Sequence, residues 1–189
     1  MSDQKDLLVH FQTVGGDIYN HGMVSMHGGN LSLKSGSNLY ITRSGSRLGF
    51  FSENDLIVTG IDKDDENTSK ASSELVVHRA IYSKTPFAAI VHCHPIYAVA
   101  QSFLGEKITP QDEAGKIFIP EVPVVGFGKE PVPGGFADEV AEALATHAVV
   151  LVHRHGCFAR GMTLEEAYVY TELLEISCLT LYIVKNLKS

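Results

Sequence analysis

Two short blocks of this 189-residue sequence concentrate side chains that bind metals. His92-Cys93-His94 follows the apolar run at 88–91, and His153-Arg154-His155 follows the apolar run at 148–152; four of the nine histidines lie in these blocks. Side chains alternate faces along a strand, so His92 and His94 are expected on one face and Cys93 on the other. The same spacing predicts that His153 and His155 share a face, with Arg154 opposite. Both blocks close apolar strands at their C-terminal ends, where α/β sheets gather binding sites. Imidazoles converging on one point are the donor set of zinc and similar divalent ions. A lone histidine at a strand end is more often a hydrogen-bonded structural group, and only the repeated HxH pattern brings the metal reading level with that one. Cys93 and Cys157 are either thiolate ligands or, more commonly for free cysteine, small buried hydrophobes. His10, His21, His78 and His147 stand alone in helices or turns and read as structural or exposed.

A second group of segments is rich in small residues: Gly28-Gly29-Asn30, Ser35-Gly36, Ser44-Gly45 and Ser72-Ser73. Backbone N–H, hydroxyl and carboxamide donors of this kind cradle phosphate when they converge. Each alone is ordinary turn punctuation. Ser72-Ser73 opens a helix, where exposed N–H groups favour an anion. Glu74 beside them is equally a carboxylate placed by the helix dipole.

The elements that must position these groups follow from periodicity. Leu7, Leu8, Phe11, Val14 and Ile18 predict a helix over about 4–20, broken by Asn20 and Gly22. NLSLK and NLYIT predict a hairpin joined by SGS, and residues 56–58 a third strand. The acidic stretch 60–72 reads as a solvated loop. ELVVHRAIYSK is helical and stops at Thr85-Pro86. AAIVHCH is a strand, and PIYAVAQSFL a short helix opened by proline. Residues 105–121 read as an irregular excursion with one short strand. EVPVVGF predicts a strand, ADEVAEALA a helix, and AVVLVHRHG a second apolar strand ending in histidines. Thr163 caps a long final helix, with Glu165 and Glu166 in its first turn. Leu164, Tyr168, Thr171, Leu174, Cys178, Leu181 and Tyr182 line one face of it. One α/β domain over 1–189 accommodates all of this.

Composition narrows the partners. Hydrophobic residues make up 44% and charged residues 20%, enough for a full core. The net charge of −7 and the absence of Lys/Arg clusters point away from nucleic acid and anionic membrane. No apolar run approaches the roughly 20 residues of a membrane span, and the N-terminus lacks a signal-peptide apolar core. Three cysteines without CxxC spacing fit a reducing cytoplasm.

Taken together, GGNLS at 28–32, ITRSG at 41–45, SSE at 72–74, IVHCHP at 90–95 and VHRHG at 152–156 resemble the class II aldolase/adducin superfamily, in order and spacing, over about residues 5–185. The resemblance implies a mixed, largely antiparallel sheet flanked by helices, assembled as a homotetramer with sites between subunits. It implies one Zn2+ per chain on His92, His94 and His155, with Glu74 as fourth ligand, and leaves His153 outside the ligand set. It implies a phosphate cradle of Gly29, Asn30, Ser44, Gly45, Ser72 and Ser73, with His27 beside it. The implied activity is cleavage of a small ketose-1-phosphate to dihydroxyacetone phosphate and an aldehyde through a metal-stabilised enediolate, with Glu74 moving the proton. Relatives often carry a tyrosine after the HxH strand as second acid; here that segment is TPQDEAGKIF, offering Asp112 and Glu113. The chain also ends soon after its last helix, which points away from L-fuculose-1-phosphate itself. Other chemistries on the scaffold are 4-epimerisation, methylthioribulose-1-phosphate dehydration and decarboxylation. A non-enzymatic adducin-like head is the remaining reading, opposed here by a full ligand set.

Overall fold

A computed structural model describes residues 2–128 and 134–187. Eight strands form one sheet in the order β3-β2-β1-β4-β8-β7-β6-β5. The strands are β1 Asn30–Ser35, β2 Asn38–Thr42, β3 Leu56–Gly60, β4 Ala89–Cys93, β5 Lys107–Ile108, β6 Val122–Val125, β7 Val149–Val152 and β8 Gly156–Gly161. Among the described residues only β6 and β7 pair in parallel; the other neighbours are antiparallel. The sheet is thus mixed and largely antiparallel, as expected. The predicted hairpin forms, with Ser35 opposite Asn38 across a tight turn.

Among the described residues six α-helices flank the sheet: α1 Ser2–Asn20, α2 Leu75–Lys84, α3 Ile96–Gln101, α4 Glu113–Phe118, α5 Ala137–Thr146 and α6 Leu164–Leu187. The two faces have separate cores. On one, Phe11, Val14 and Ile18 of α1 and Leu164, Leu174 and Cys178 of α6 pack with Val91, Cys93, Cys157 and Ala159 of the sheet. On the other, Val77 and Ile81 of α2 and Val140 and Leu144 of α5 pack with Ile90, Val150 and Phe158. Alternation along β4 therefore sends Cys93 into the first core and His92 to the α2 side, where Glu74 waits.

Four sequence expectations are corrected. Residues 105–121 hold the expected short strand, β5, and also α4, a helix too short for helical periodicity to register. CFARG, unassigned in the sequence reading, is β8, a fully paired central strand buried on both faces. Tyr182 is 50% exposed and leaves the buried face of α6, which ends near Cys178. Finally, α6 is long and apolar enough to cross a membrane by length and composition. Part of that apolarity is the stripe that packs on the sheet.

Candidate active site

The histidine blocks meet because β4 and β8 are neighbours, Cys93 pairing with Cys157. His92 is the penultimate residue of β4, its side chain 1% exposed, and Nδ1 donates to the Cys157 carbonyl at 2.8 Å. That bond fixes the ring so that Nε2 faces inward. His94 lies just past the strand, held by its backbone N–H to the Met23 carbonyl at 2.7 Å, and its Nε2 is 3.0 Å from that of His92. Gly156 allows this packing: a Cβ there would lie 2.4 Å from both the Cys93 carbonyl oxygen and the His94 ring.

The second block does not continue β7. The strand stops at Val152, and His153 and Arg154 form a turn into β8 with Arg154 at φ 64°. Strand alternation therefore fails here, and His153 and His155 do not share a face. The His153 ring stacks on Phe127 at 4.4 Å, whereas His155 turns toward His92, ring centres 5.0 Å apart. The turn is pinned by the Arg154 N–H to the Ser102 hydroxyl at 3.0 Å and the His155 N–H to the Val152 carbonyl at 3.0 Å.

Glu74 caps the arrangement. It precedes α2, its N–H donating to the Ser72 hydroxyl at 3.3 Å, and its carboxylate is buried. Oε2 lies 2.9 Å from His92 Nε2 and accepts from Asn30 Nδ2 at 2.9 Å; Oε1 lies 3.5 Å from His155 Nε2. Burial alone would raise the Glu74 pKa, but the charge and hydrogen bond of His92, then Asn30 and His155, hold it well below the carboxylate range. His94 is pushed down to about 3 by burial and by its imidazole neighbours, and His155 is lowered for the same reasons.

These groups form an acceptor set in search of a cation. With its Nδ1–H given to the Cys157 carbonyl, His92 turns Nε2 toward a carboxylate oxygen and another imidazole nitrogen. The three imidazole nitrogens lie within 4.8 Å of one another. Around a tetrahedral ion with bonds of ~2.0–2.1 Å, donor atoms are about 3.4 Å apart. The separations of 2.9, 3.0 and 3.5 Å fall around that value. Three imidazoles and one carboxylate thus fit a single divalent ion, and neither buried cysteine reaches it. Cys93 and Cys157 lie in the opposite core with thiols 3.8 Å apart, and burial raises the Cys93 pKa further.

The small-residue segments line the same cavity, of about 450 Å³, a volume suited to a small phosphorylated metabolite. Gly29, Asn30, Ser44, Gly45, Ser72 and Ser73 all border it. Gly29 has φ 75°, and a Cβ there would lie 2.6 Å from Val24 and 2.8 Å from the His92 carbonyl oxygen. His27 ties two of the segments together, Nδ1 2.8 Å from the Gly45 carbonyl oxygen. Ser35-Gly36 is absent from the lining and is the hairpin turn.

Asp112 and Glu113 stand apart from this cavity. Asp112 caps α4, accepting from the Gly115 N–H at 2.7 Å, and Glu113 is exposed at the first turn. The cavity does contain Arg43, Phe136 and Arg154, which the sequence reading left without a role. Arg43 and Arg154 sit inside the ITRSG and VHRHG motifs, so the signal was present. Phe136, packed 5.3 Å from the His155 ring, comes from a segment with no such mark.

A sequence profile of the Class II Aldolase and Adducin N-terminal domain matches residues 10–182. An L-fuculose phosphate aldolase of Methanococcus vannielii is 36% identical over 161 residues, 84% of this chain and 86% of that one. A 3-oxo-tetronate 4-phosphate decarboxylase of Haemophilus influenzae is 34% identical over 181 residues, 91% of this chain and 83% of that one. The crystal structure of an L-fuculose-1-phosphate aldolase from Thermus thermophilus superposes with a TM-score of 0.90 at 34% identity, covering 96% of this chain and 95% of that one. The chain belongs to the class II aldolase and adducin family, as an aldolase-type lyase.

Proposed function

We propose that the chain is a zinc-dependent aldolase that cleaves a small ketose-1-phosphate to dihydroxyacetone phosphate and an aldehyde, in the cytoplasm, as a homotetramer. The observation that carries this reading is the convergence of His92, His94, His155 and Glu74 on one point in a cavity rimmed by anion-binding segments. When bound, the ion acts as a Lewis acid that polarises the substrate's carbonyl and stabilises the charge left by C–C cleavage. The glycine, serine and carboxamide donors of the rim anchor the phosphate away from the reacting bond, so remote binding fixes its orientation. Glu74 moves the proton on the three-carbon fragment. Its carboxylate is kept low by its imidazole and carboxamide partners. Released from them by incoming substrate oxygens, it keeps only its burial, which raises its basicity. Exposed Phe103, Leu104, Ile117, Phe118 and Ile176, around α3, α4 and α6, support an assembled state. Exposed Glu113 at the first turn of α4 is then a candidate acid for a neighbouring subunit's site; capping duty makes Asp112 the weaker one.

Decarboxylation of a phosphorylated 3-oxo-acid is the second reading, favoured by the similarity to the Haemophilus influenzae decarboxylase. Both reactions leave an enolate beside a polarised oxygen. One experiment separates them: the purified, zinc-loaded protein is incubated with ketose-1-phosphates and with 3-oxo-tetronate 4-phosphates. Release of dihydroxyacetone phosphate supports the aldolase reading, and release of CO2 without it replaces that reading.

A further inference from the structure

We propose that His78 is a positioning residue, which fixes the carboxamide of Asn30 so that its N–H groups, not its oxygen, face Glu74 and the anion rim. The inference rests on the reading of Glu74 and Asn30 as working site residues. His78 is fully buried on α2 and touches neither the cavity nor the imidazole cluster. It belongs instead to a chain of hydrogen bonds running from the interior to the site. Tyr82 OH lies 2.8 Å from Ser32 Oγ, Ser32 Oγ 2.6 Å from His78 Nδ1, His78 Nε2 2.5 Å from Asn30 Oδ1, and Asn30 Nδ2 2.9 Å from Glu74 Oε2.

The direction of every bond is set from one end. An ionised carboxylate can only accept, so Asn30 donates to Glu74 through Nδ2 and turns Oδ1 toward His78. Oδ1 can only accept, so His78 carries its proton on Nε2. His78 is fully buried and its ring nitrogens meet a carboxamide oxygen and a hydroxyl, not a carboxylate, so the imidazole keeps that one proton and its Nδ1 is an acceptor. Ser32 must then donate to Nδ1, and Tyr82 to Ser32. The five residues form a single-file donor chain, and the Tyr82 hydroxyl proton is shared between Ser32 Oγ at 2.8 Å and the Ala88 carbonyl oxygen at 3.3 Å. A consequence follows at the cavity: the second N–H of Asn30 Nδ2 remains free for a ligand, and a flipped carboxamide would offer an oxygen to an anion instead. The buried chain thus selects, through His78, the amide orientation that both the carboxylate and an anionic ligand require.

Three measurements on the full chain test this. Nitrogen-15 NMR of the histidine side chains should show His78 protonated at Nε2 and bare at Nδ1 across the neutral range; the opposite tautomer or a doubly protonated ring overturns the proposal. Cobalt(II) affinity and turnover should each fall about 10–100-fold in His78→Phe, the range for groups that orient ligands. His78→Gln, which restores an N–H near the Nε2 position, should recover most of that loss. In an Asn30→Ala background the His78 substitutions should have no further effect on either quantity, because His78 acts only through Asn30. Independent, additive losses would make His78 a packing residue and overturn the proposal. Ser32→Ala removes the donor to Nδ1 with a smaller change of shape, and supplies the same cycle if His78→Phe does not fold. A protein without aldolase turnover still reports the tautomer and the cobalt(II) coupling, so failure of the functional reading is distinguishable from failure of this one.

Discussion

The two HxH blocks have the same spacing and opposite logic. His92 and His94 follow strand alternation, so both imidazoles reach the site while Cys93 goes to the other core. His153 and His155 straddle a turn whose middle residue, Arg154, has a left-handed backbone. There only the second imidazole turns inward, and the first stacks on Phe127. Spacing alone thus specifies a shared face only where the backbone stays extended. The first block is also backed by a buried polar chain through Asn30 and His78, and the second by aromatic rings, Phe127 and Phe136.

The largest effect should come from the ligands. His92→Ala or His155→Ala should empty the metal site, with elemental analysis falling well below one ion per chain and turnover falling by about 10⁴ or more as the Lewis acid is lost. His153→Ala should keep its metal and lose at most about 1 kcal/mol of stability from its ring contacts. Equal metal loss in His153→Ala and His155→Ala would erase the asymmetry between the halves of the turn. Glu74→Gln comes next. The amide preserves size and can still accept from Asn30, but it takes no proton near neutral pH. Turnover should fall on the order of 10²–10⁴, the range for a lost general base. Exchange of the dihydroxyacetone phosphate proton, followed by deuterium loss, should fall with it; wild-type exchange would pass the role to Glu113.

A pH experiment probes the polar backing of the first block. The folded state holds the His78 pKa near 3 through burial. An unfolded chain has an imidazole near 6.5. Between those values the unfolded state binds the proton that the folded state refuses, so stability falls as pH falls from about 6.5 towards 3. By pH 5 this component amounts to on the order of 2 kcal/mol. Urea denaturation of the metal-free protein at pH 7 and pH 5 should show His78→Gln losing less stability than wild type by that amount. Equal losses would mean that another group carries the acid sensitivity.

What the sequence disclosed follows from which signals are local. The strand carrying His92, the hairpin, α1 and the Ser72-Ser73-Glu74 helix start are written in periodicity and capping over short stretches. The cavity lining at Gly29, Asn30, Ser44 and Gly45 was legible through motif resemblance, since single turns carry too little information to predict that they meet. β8 was missed because burial on both faces removes the polar alternation that marks a strand. Phe136 and the chain linking Tyr82 to Glu74 were invisible for a different reason. They depend on contacts between residues up to 50 positions apart, such as Ser32 with Tyr82. His78, read as structural from its isolation, is the residue on which that distant pairing converges.

The smallest expected effect tests the turn itself. An L-residue with positive φ costs roughly 1–2 kcal/mol, because its Cβ crowds the following carbonyl. Arg154 at φ 64° is the one non-glycine with positive φ among the described residues. Its cation–π contact with Phe103, 5.5 Å from the ring centre, returns only about 0.5 kcal/mol at such an exposed position. Asparagine tolerates this region through its short polar side chain, whereas a β-branched residue suffers most. Arg154→Asn should therefore raise the unfolding free energy by a few tenths to about 1 kcal/mol, and Arg154→Val should lower it by at least as much. Thermal denaturation of the two variants with the metal removed reads the backbone alone. If both variants shift in the same direction, left-handed geometry is not what turns His155 inward, and the contrast between the two histidine blocks would have to rest on the Ser102 and Phe136 contacts instead.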